Sequence, residues 1–297
     1  MPMNVAVIDV GSHTVRMLVA YRNEGVLHAI REAKATLSLG AEVECHGRIT
    51  DAKLEETAEC ASEFARAARQ VGAARIETLV TAPGRQAANG ADLAEILAYA
   101  TGTVVRVLSP DEEGELAFRG AVHASDLDAE SVAVVDVGGG STEVAVGTVD
   151  GGPAWVRSFD IGAVRLTGRA LPSDPPSAEA VAHAFARAEE DLSLLTPPLP
   201  QAALATGGTA RALRKLVGKT LGPVQLDEAL DLLEGQKSVK VATRYDVERH
   251  RARTLPAGAV ILRAAQQRLG VPLVVSRAGL REGAVLAMLE EFAAAAA

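Results

Sequence analysis

One segment of this chain is written twice. Val5–Leu18 reads VAVIDVGSHTVRML and Val132–Ala145 reads VAVVDVGGGSTEVA, so Asp9 aligns with Asp136, Gly11 with Gly138 and Thr14 with Ser141. Each copy reads as a buried, largely β-branched strand, an aspartate, a glycine turn and a second strand, Val15–Tyr21 in the first and Val144–Val149 in the second. An internal duplication constrains a fold more than any single motif, because each repeat is one structural unit built to the same plan. Two related halves facing each other would set two glycine turns and two aspartates across one cleft.

The residue types in the second copy suit phosphate and a cation. Asp136 interrupts an apolar run, where a carboxylate is costly unless it meets a positive charge. Gly138, Gly139 and Gly140 let the backbone approach a ligand closely, and successive amides of such a turn form an anion-binding concavity. Ser141 and Thr142 add hydroxyl donors, and Glu143 brings a second carboxylate. Two acids beside a phosphate cradle suit a hard divalent cation bridging protein and phosphate oxygens. A plain tight hairpin would account for one such turn. The chain has three, Asp9–Thr14, Gly138–Thr142 and Gly207–Thr209, and their shared capacity is holding phosphate through backbone amides and hydroxyls. A fourth feature, Ser109–Glu115 (SPDEEGE), crowds Asp111, Glu112, Glu113 and Glu115 together. Mutual repulsion would raise the pKa of one of them toward that of a general base. Their place at a helix N-terminus offers a purely structural account through the helix dipole, so both readings stand at this point.

The 297 residues suffice for two domains, placed at 1–124 and 125–297, with the last helix able to pack back on the first. Aromatic residues make up 3% of the chain, so its cores must be built from Ala, Val and Leu. The sequence shows neither a long unbroken apolar run nor a signal-peptide pattern, so a cytoplasmic protein that avoids the membrane is expected. A net charge of −8 argues against nucleic-acid binding, although a small polyanion held by arginines and a cation is compatible with it. Cys45 and Cys60 are too few for a zinc site or a disulfide framework and are expected to be reduced, and the histidines show no paired metal spacing.

Patterning predicts strands at 4–10, 14–22 and 25–37, a helix at 52–71 capped by Asp51 and ended by Gly72, and a strand at 76–81. A break at 82–85, a helix at 92–100, a strand at 104–108 and a helix at 110–124 complete the first half. The second half reads as strands at 132–137, 142–149 and 153–160, a helix at 177–195 capped by Ser177, a strand at 202–206 and a helix at 210–217. A polar, helical edge at 218–253, a helix at 256–269, a strand at 273–275 and a helix at 283–294 follow, with the tail 293–297 frayed. That order, repeated, predicts an α/β fold of mixed sheets with helices on their faces. Tyr245, Arg249, Arg251 and Arg253 read as a solvated polar face rather than as a substrate rim.

The ordered segments VAVIDVGSHT, TAPGRQAAN, LSPDEEGELAFRGA, VVDVGGGSTE, ATGGTARAL and SRAGLREGAVL resemble the exopolyphosphatase and guanosine pentaphosphate phosphatase family across essentially the whole chain. The resemblance implies two duplicated ribonuclease-H-like domains of the actin, hexokinase and heat-shock ATPase superfamily, with the active site in an interdomain cleft. It implies hydrolysis of a terminal phosphoanhydride with Mg2+, or Mn2+ in its place, and a connection to the stringent response. By position, it implies Glu113 as general base with Glu112 beside it, and Arg85 near the terminal phosphate. Asp136 and Glu143 match the acids that hold magnesium, joined by Asp9 from the first half. Phosphate contacts are implied for Gly11, Ser12, His13 and Thr14, for Gly138, Gly139, Gly140, Ser141 and Thr142, and for Gly207, Gly208 and Thr209. Arg281 and Glu282 match a segment read as supporting the domain junction.

The chain departs from the family at His13, where Asn is usual, at Ser38, where Arg is usual, and at Gly114, where Ala is usual. His13 keeps a donor for phosphate, whereas Ser38 removes a positive charge and lowers the affinity expected for long polyanions. The added C-terminal helical domain of larger members is not matched here, which points the same way, to short-chain inorganic polyphosphate. The alternatives are a guanosine pentaphosphate (pppGpp) 5′-phosphohydrolase and, more distantly, a kinase of the same superfamily or a non-catalytic sensor of polyphosphate or guanosine tetraphosphate (ppGpp). A homodimer is a further option.

Overall fold

The computed structural model describes residues 3–296. In chain order the first part comprises β1 (Val5–Val10), β2 (Thr14–Asn23), β3 (Val26–Thr36), α1 (Leu39–His46), α2 (Asp51–Gln70), β4 (Arg75–Val80), α3 (Ala82–Gln86), α4 (Gly90–Thr101), β5 (Val104–Val107) and α5 (Pro110–His123). It continues with β6 (Val132–Val137), β7 (Thr142–Thr148), β8 (Gly152–Phe159), α6 (Ala163–Ala170), α7 (Ala178–Asp191), β9 (Ala202–Thr206), α8 (Gly207–Val217), β10 (Thr220–Leu221), α9 (Pro223–Gly235), α10 (Ser238–Tyr245), α11 (Arg249–Leu269), β11 (Leu273–Val275) and α12 (Leu280–Ala296). The chain divides into two compact units, Met1–Gly120 with Leu280–Ala297, and Ala121–Gly279.

The first unit is a five-stranded sheet in the order β3-β2-β1-β4-β5, antiparallel through β1–β3 and parallel from β1 to β4 and β5. β1 is apolar apart from Asp9 near its C-terminal end because both of its faces are covered. Ala6, Ile8 and Val10 pack with Leu54, Ala61, Leu93 and Leu97 of α2 and α4. Val5 and Val7 turn to the other face, against Leu280, Val285 and Met288 of α12. The final helix therefore completes the core of the first unit, and it does so by lying close on α5. A Cβ at Gly283 would collide with the Leu116 carbonyl, so glycine is required at this crossing.

The second unit repeats the plan in a six-stranded sheet, order β10-β11-β9-β6-β7-β8. The repetition extends to register at one constant offset in residue number. Val5 pairs with Ala20 and Arg75 in the first sheet, and Val132 pairs with Gly147 and Ala202 in the second. The duplicated α/β plan expected from the sequence is thus present: each of the five strands of the first sheet has a counterpart in the second, and β10 is an addition at its edge. The core of the second unit gathers around α11, whose small residues Ala257, Ala259 and Ala264 are buried.

Local departures from the sequence reading have physical causes. The break at 82–85 is the short helix α3, entered through Pro83, whose fixed φ suits a first helical turn. Asp51 is the first helical residue of α2 rather than its cap. Thr50 holds the cap position without capping, because its hydroxyl donates to Glu42 Oε2 at 2.7 Å. Helices α1 and α6, each only two turns long, are additions to the sequence reading, and α11 begins at Arg249, upstream of Pro256, where Ala252 and Leu255 already face the core. Ser177 caps α7 as expected, accepting from the Ala180 amide, although that helix ends at Asp191. The tail is helical through Ala296, and Ala297 lies outside the described residues. Among the described residues no helix is long and apolar enough to cross a membrane.

Candidate active site

In each unit the chemistry-bearing residues gather at the C-terminal ends of the parallel strands, the side of an open α/β sheet where ligands bind. In the first unit these are the ends of β1, β4 and β5, which carry Gly11–Thr14, Thr81–Arg85 and Leu108–Glu113. In the second they are the ends of β6 and β9, which carry Gly138–Ser141 and Gly207–Thr209.

The two glycine turns close identically: the Gly11 amide donates to the Thr14 carbonyl at 3.0 Å, and the Gly138 amide to the Ser141 carbonyl at 3.0 Å. The segment after each hairpin then takes up carbonyls of the turn. Gly40 donates to Ser12 O at 2.6 Å, and Leu37 and Ser38 donate to His13 O at 3.1 and 3.0 Å. In the second unit Ala163 donates to Gly138 O at 2.9 Å, and Val164 and Arg165 donate to Gly139 O at 3.0 and 3.2 Å. In a trans peptide the N–H points opposite to the C=O. Engaging these carbonyls therefore aims the amides of His13, Gly139 and Gly140 away from the packed segment, as an anion cradle needs. Close packing sets the glycines here: a Cβ at Gly40 would stand 2.8 Å from Ser12 Cβ, and one at Gly162 would overlap the Gly139 carbonyl.

Behind the turns, each hairpin carries a cross-strand row of polar side chains. In the second unit Asp136 stands opposite Glu143, and Glu143 opposite Ser158 on β8. Glu143 is 2% exposed, and Ser158 Oγ donates to its Oε1 at 2.7 Å. Asp136 Oδ1 lies against Gly207, whose φ of 83° and crowded Cα leave room for no side chain. Gly207 and Gly208 open α8, so a carboxylate pair stands beside the amides of a helix N-terminus. The guanidinium of Arg251 lies directly over Gly208. Arg251 is thus part of the constellation, a correction to its reading as solvated surface. It reaches the site from α11, far along the chain. Arg253, two residues on, points elsewhere and donates to the carbonyls of Leu171 and Pro172 at 2.6 and 3.1 Å.

Two hydroxyls expected to contact phosphate are committed inside the fold. Thr142 Oγ1 donates to the Ile161 carbonyl at 2.5 Å, and Thr209 Oγ1 to the Val137 carbonyl at 3.2 Å; both residues are buried. Their side chains pin β7 and α8 in place.

In the first unit the matching row is Asp9 opposite Arg16, and Arg16 opposite Lys34. Arg85, on α3, donates to the Leu108 carbonyl at 2.7 Å and pairs with Glu113 Oε2 at 2.9 Å, so one guanidinium ties the end of β5 to the first turn of α5. Glu113 is 8% exposed. Its neighbour Glu112 has a different task. Glu112 Oε2 accepts from the Ser109 amide at 2.8 Å while the Glu112 amide donates to Ser109 Oγ at 3.2 Å, a reciprocal cap of α5. The Ser109 amide, and beyond it the Arg106 guanidinium, holds the Glu112 carboxyl below its ordinary range, the opposite of what a base in this cluster would need. Arg281 donates to the Met17 carbonyl at 3.4 Å and faces Glu32 and Glu282, a purely structural set of partners at the start of α12.

Among the described residues no group of three or more His, Cys, Asp or Glu side chains is arranged to hold a metal ion. The carboxylate pair Asp136 and Glu143 is the nearest approach to one in the second unit, and Asp9 belongs to the first.

Comparison with known proteins agrees with this arrangement. The chain is 30% identical to exopolyphosphatase 1 of Mycobacterium tuberculosis over 97% of its own length and 89% of that protein. It is 30% identical to exopolyphosphatase 2 of the same organism, over 96% and 98%. A crystal structure of the Aquifex aeolicus Ppx/GppA family member superposes with a TM-score of 0.84 at 32% identity, covering 98% of this chain and 99% of that one. The model of the Ppx/GppA phosphatase family matches residues 18–292. With its duplicated units, its glycine turns and its acids at the strand ends, the chain is an enzyme of the hydrolase class and belongs to the Ppx/GppA phosphatase family.

Proposed function

We propose that this protein is an exopolyphosphatase, releasing the terminal phosphate of inorganic polyphosphate by attack of water. The observation that carries the reading is the Asp136–Glu143 pair set beside the glycine start of α8. An acid pair next to a helix N-terminus and a nest of outward amides is suited to a phosphate that arrives with a cation. The donor set fits Mg2+, which keeps several of its waters and takes one or two carboxylates together with phosphate oxygens. Asp136 and Glu143 would hold it, with Ser158 orienting Glu143. Bound there, it would neutralise charge on the phosphate oxygens and on the leaving group.

The protein's own groups do the rest. Glu113 accepts the proton of the attacking water, with its carboxylate oriented by Arg85. The amides of His13, Gly139, Gly140 and the first turn of α8 stabilise the phosphoryl oxygens as charge develops on them, and Arg251 adds a cation over Gly208. Ser38, uncharged, leaves the first-unit turn with one cation fewer for the distal phosphates, which favours short chains.

The test is phosphate release, with Mg2+ and no acceptor, from a panel running from triphosphate to long polyphosphate and including guanosine pentaphosphate. Release is expected to be fastest from short polyphosphate; a kcat/KM at least tenfold higher on guanosine pentaphosphate would overturn the substrate assignment. Release only when an acceptor is added would make the protein a kinase. Glu113→Gln is expected to retain less than about a tenth of the activity, since a positioned base supplies ~10²–10⁴-fold.

A further inference from the structure

The first turn of α5 is held by a line of alternating charges that the proposed chemistry does not itself require. Glu77, on β4, has a side chain only 3% exposed and pairs with Arg75 and, at 3.6 Å, with Arg106 of β5. Arg106 in turn donates to Glu112 Oε1 at 2.6 Å. Glu112 closes the reciprocal cap with Ser109 and is followed directly by Glu113. At its far end the line reaches α12, where Arg75 pairs with Glu291 at 2.9 Å.

Stability alone gives a poor account of this line. The Arg106–Glu112 pair is 42% exposed on both sides, and exposed pairs contribute little. Burying Glu77 costs desolvation, and a well-packed apolar residue at such a site is commonly as stabilising or more so. What the line does supply is position. The first turn of a helix has the fewest internal hydrogen bonds, and Glu113 stands in that turn. Its amide donates to Ser109 O at 3.0 Å, so it moves with the cap.

We infer that Arg106, anchored on Glu77, is a positioning residue: it holds Glu112 in the cap of α5 and thereby sets where the Glu113 carboxylate stands. The inference rests on Glu113 being the base, as proposed above. Arg85 fixes the carboxylate directly, and Arg106 fixes the turn that carries it.

The experiment measures kcat and KM for phosphate release from tripolyphosphate with Mg2+ in Arg106→Met, Arg106→Lys, Glu112→Gln, the Arg106→Met/Glu112→Gln double variant and Glu113→Gln. Arg187→Met, which breaks a surface pair with Asp191 on α7, serves as the neutral control. Arg106→Met is expected to lower kcat roughly tenfold with KM within about twofold, because a reacting group misplaced by ~1 Å can cost about 10²-fold. Arg106→Lys should recover at least about threefold of that loss, since a single charge still meets Glu112 but lacks the fork that spans both acids. The double variant should be no slower than the worse single, because both act through one contact. A kcat for Arg106→Met and Glu112→Gln within twofold of the parent, with Glu113→Gln inactive, would overturn the inference and leave the base assignment standing. An active Glu113→Gln would overturn both. Should Arg106→Met fail to fold, Glu112→Gln alone decides by the same criterion.

Discussion

The hairpins that open the two units share a frame and differ in charge. Register is the same residue for residue, the glycine turns close through the same amide-to-carbonyl bond, and an aspartate stands at the same place before each turn. Across the sheet from that aspartate, however, the first unit sets Arg16 and then Lys34, and the second sets Glu143 and then Ser158. One row is Asp–Arg–Lys and the other Asp–Glu–Ser. The difference teaches that backbone duplication fixes where a polar row stands, while its sign is free to diverge because every strand position projects a side chain independently. In the first unit the aspartate faces a cation, and the row as a whole favours an anion. In the second, two carboxylates stand together, the pair to which the proposed function assigns a metal ion.

Exchanging the rows is the severest way to break the comparison. Glu143→Arg would make the second row resemble the first, and phosphate release should fall by about 10³-fold or more at any Mg2+ concentration, since metal stabilisation of developing charge amounts to several kcal/mol. Retained activity would show that the carboxylate pair is not the metal site. Gly207→Ala comes next. Its left-handed backbone costs a β-carbon residue about 1–2 kcal/mol, and the new methyl would displace Asp136. Activity is expected to drop between about tenfold and 10²-fold, with a higher Mg2+ requirement on titration; Gly11→Ala, in the first unit's own glycine turn, where a Cβ meets nothing nearer than 3.5 Å, should be milder. Arg16→Ser removes one of the first row's two cations, the one opposite Asp9. KM should rise by roughly tenfold with kcat little changed, in keeping with the ~1.5–3 kcal/mol of a charged hydrogen bond.

Two smaller tests sharpen the same contrast. Ser38→Arg returns a cation to the first unit's turn and should lower KM for long polyphosphate by about threefold while leaving triphosphate unchanged. Lastly, α2 and α7 follow the hairpins of their respective units, yet only α7 has a side-chain cap. Ser177→Ala should cost about 1 kcal/mol in denaturant unfolding, and Thr50→Ala less, because its hydroxyl is spent on Glu42 instead of the helix.

The sequence by itself determined the duplicated frame, the apolar strands, the three glycine turns and the acids Asp136 and Glu143, along with the family to which they belong. These are legible because strand periodicity, glycine and an interrupted apolar run are local properties of neighbouring residues. Only the tertiary structure decided how individual polar groups are spent. It turned Thr142 and Thr209 inward, gave Glu112 to the cap of α5, brought Arg251 from α11 onto Gly208, and joined α12 to the core of the first unit. A buried polar atom takes whichever partner the fold brings within about 3 Å, and a distant residue becomes a neighbour only once the helices have packed. Residue order carries neither fact, so the partners of these side chains were set by packing and not by spacing.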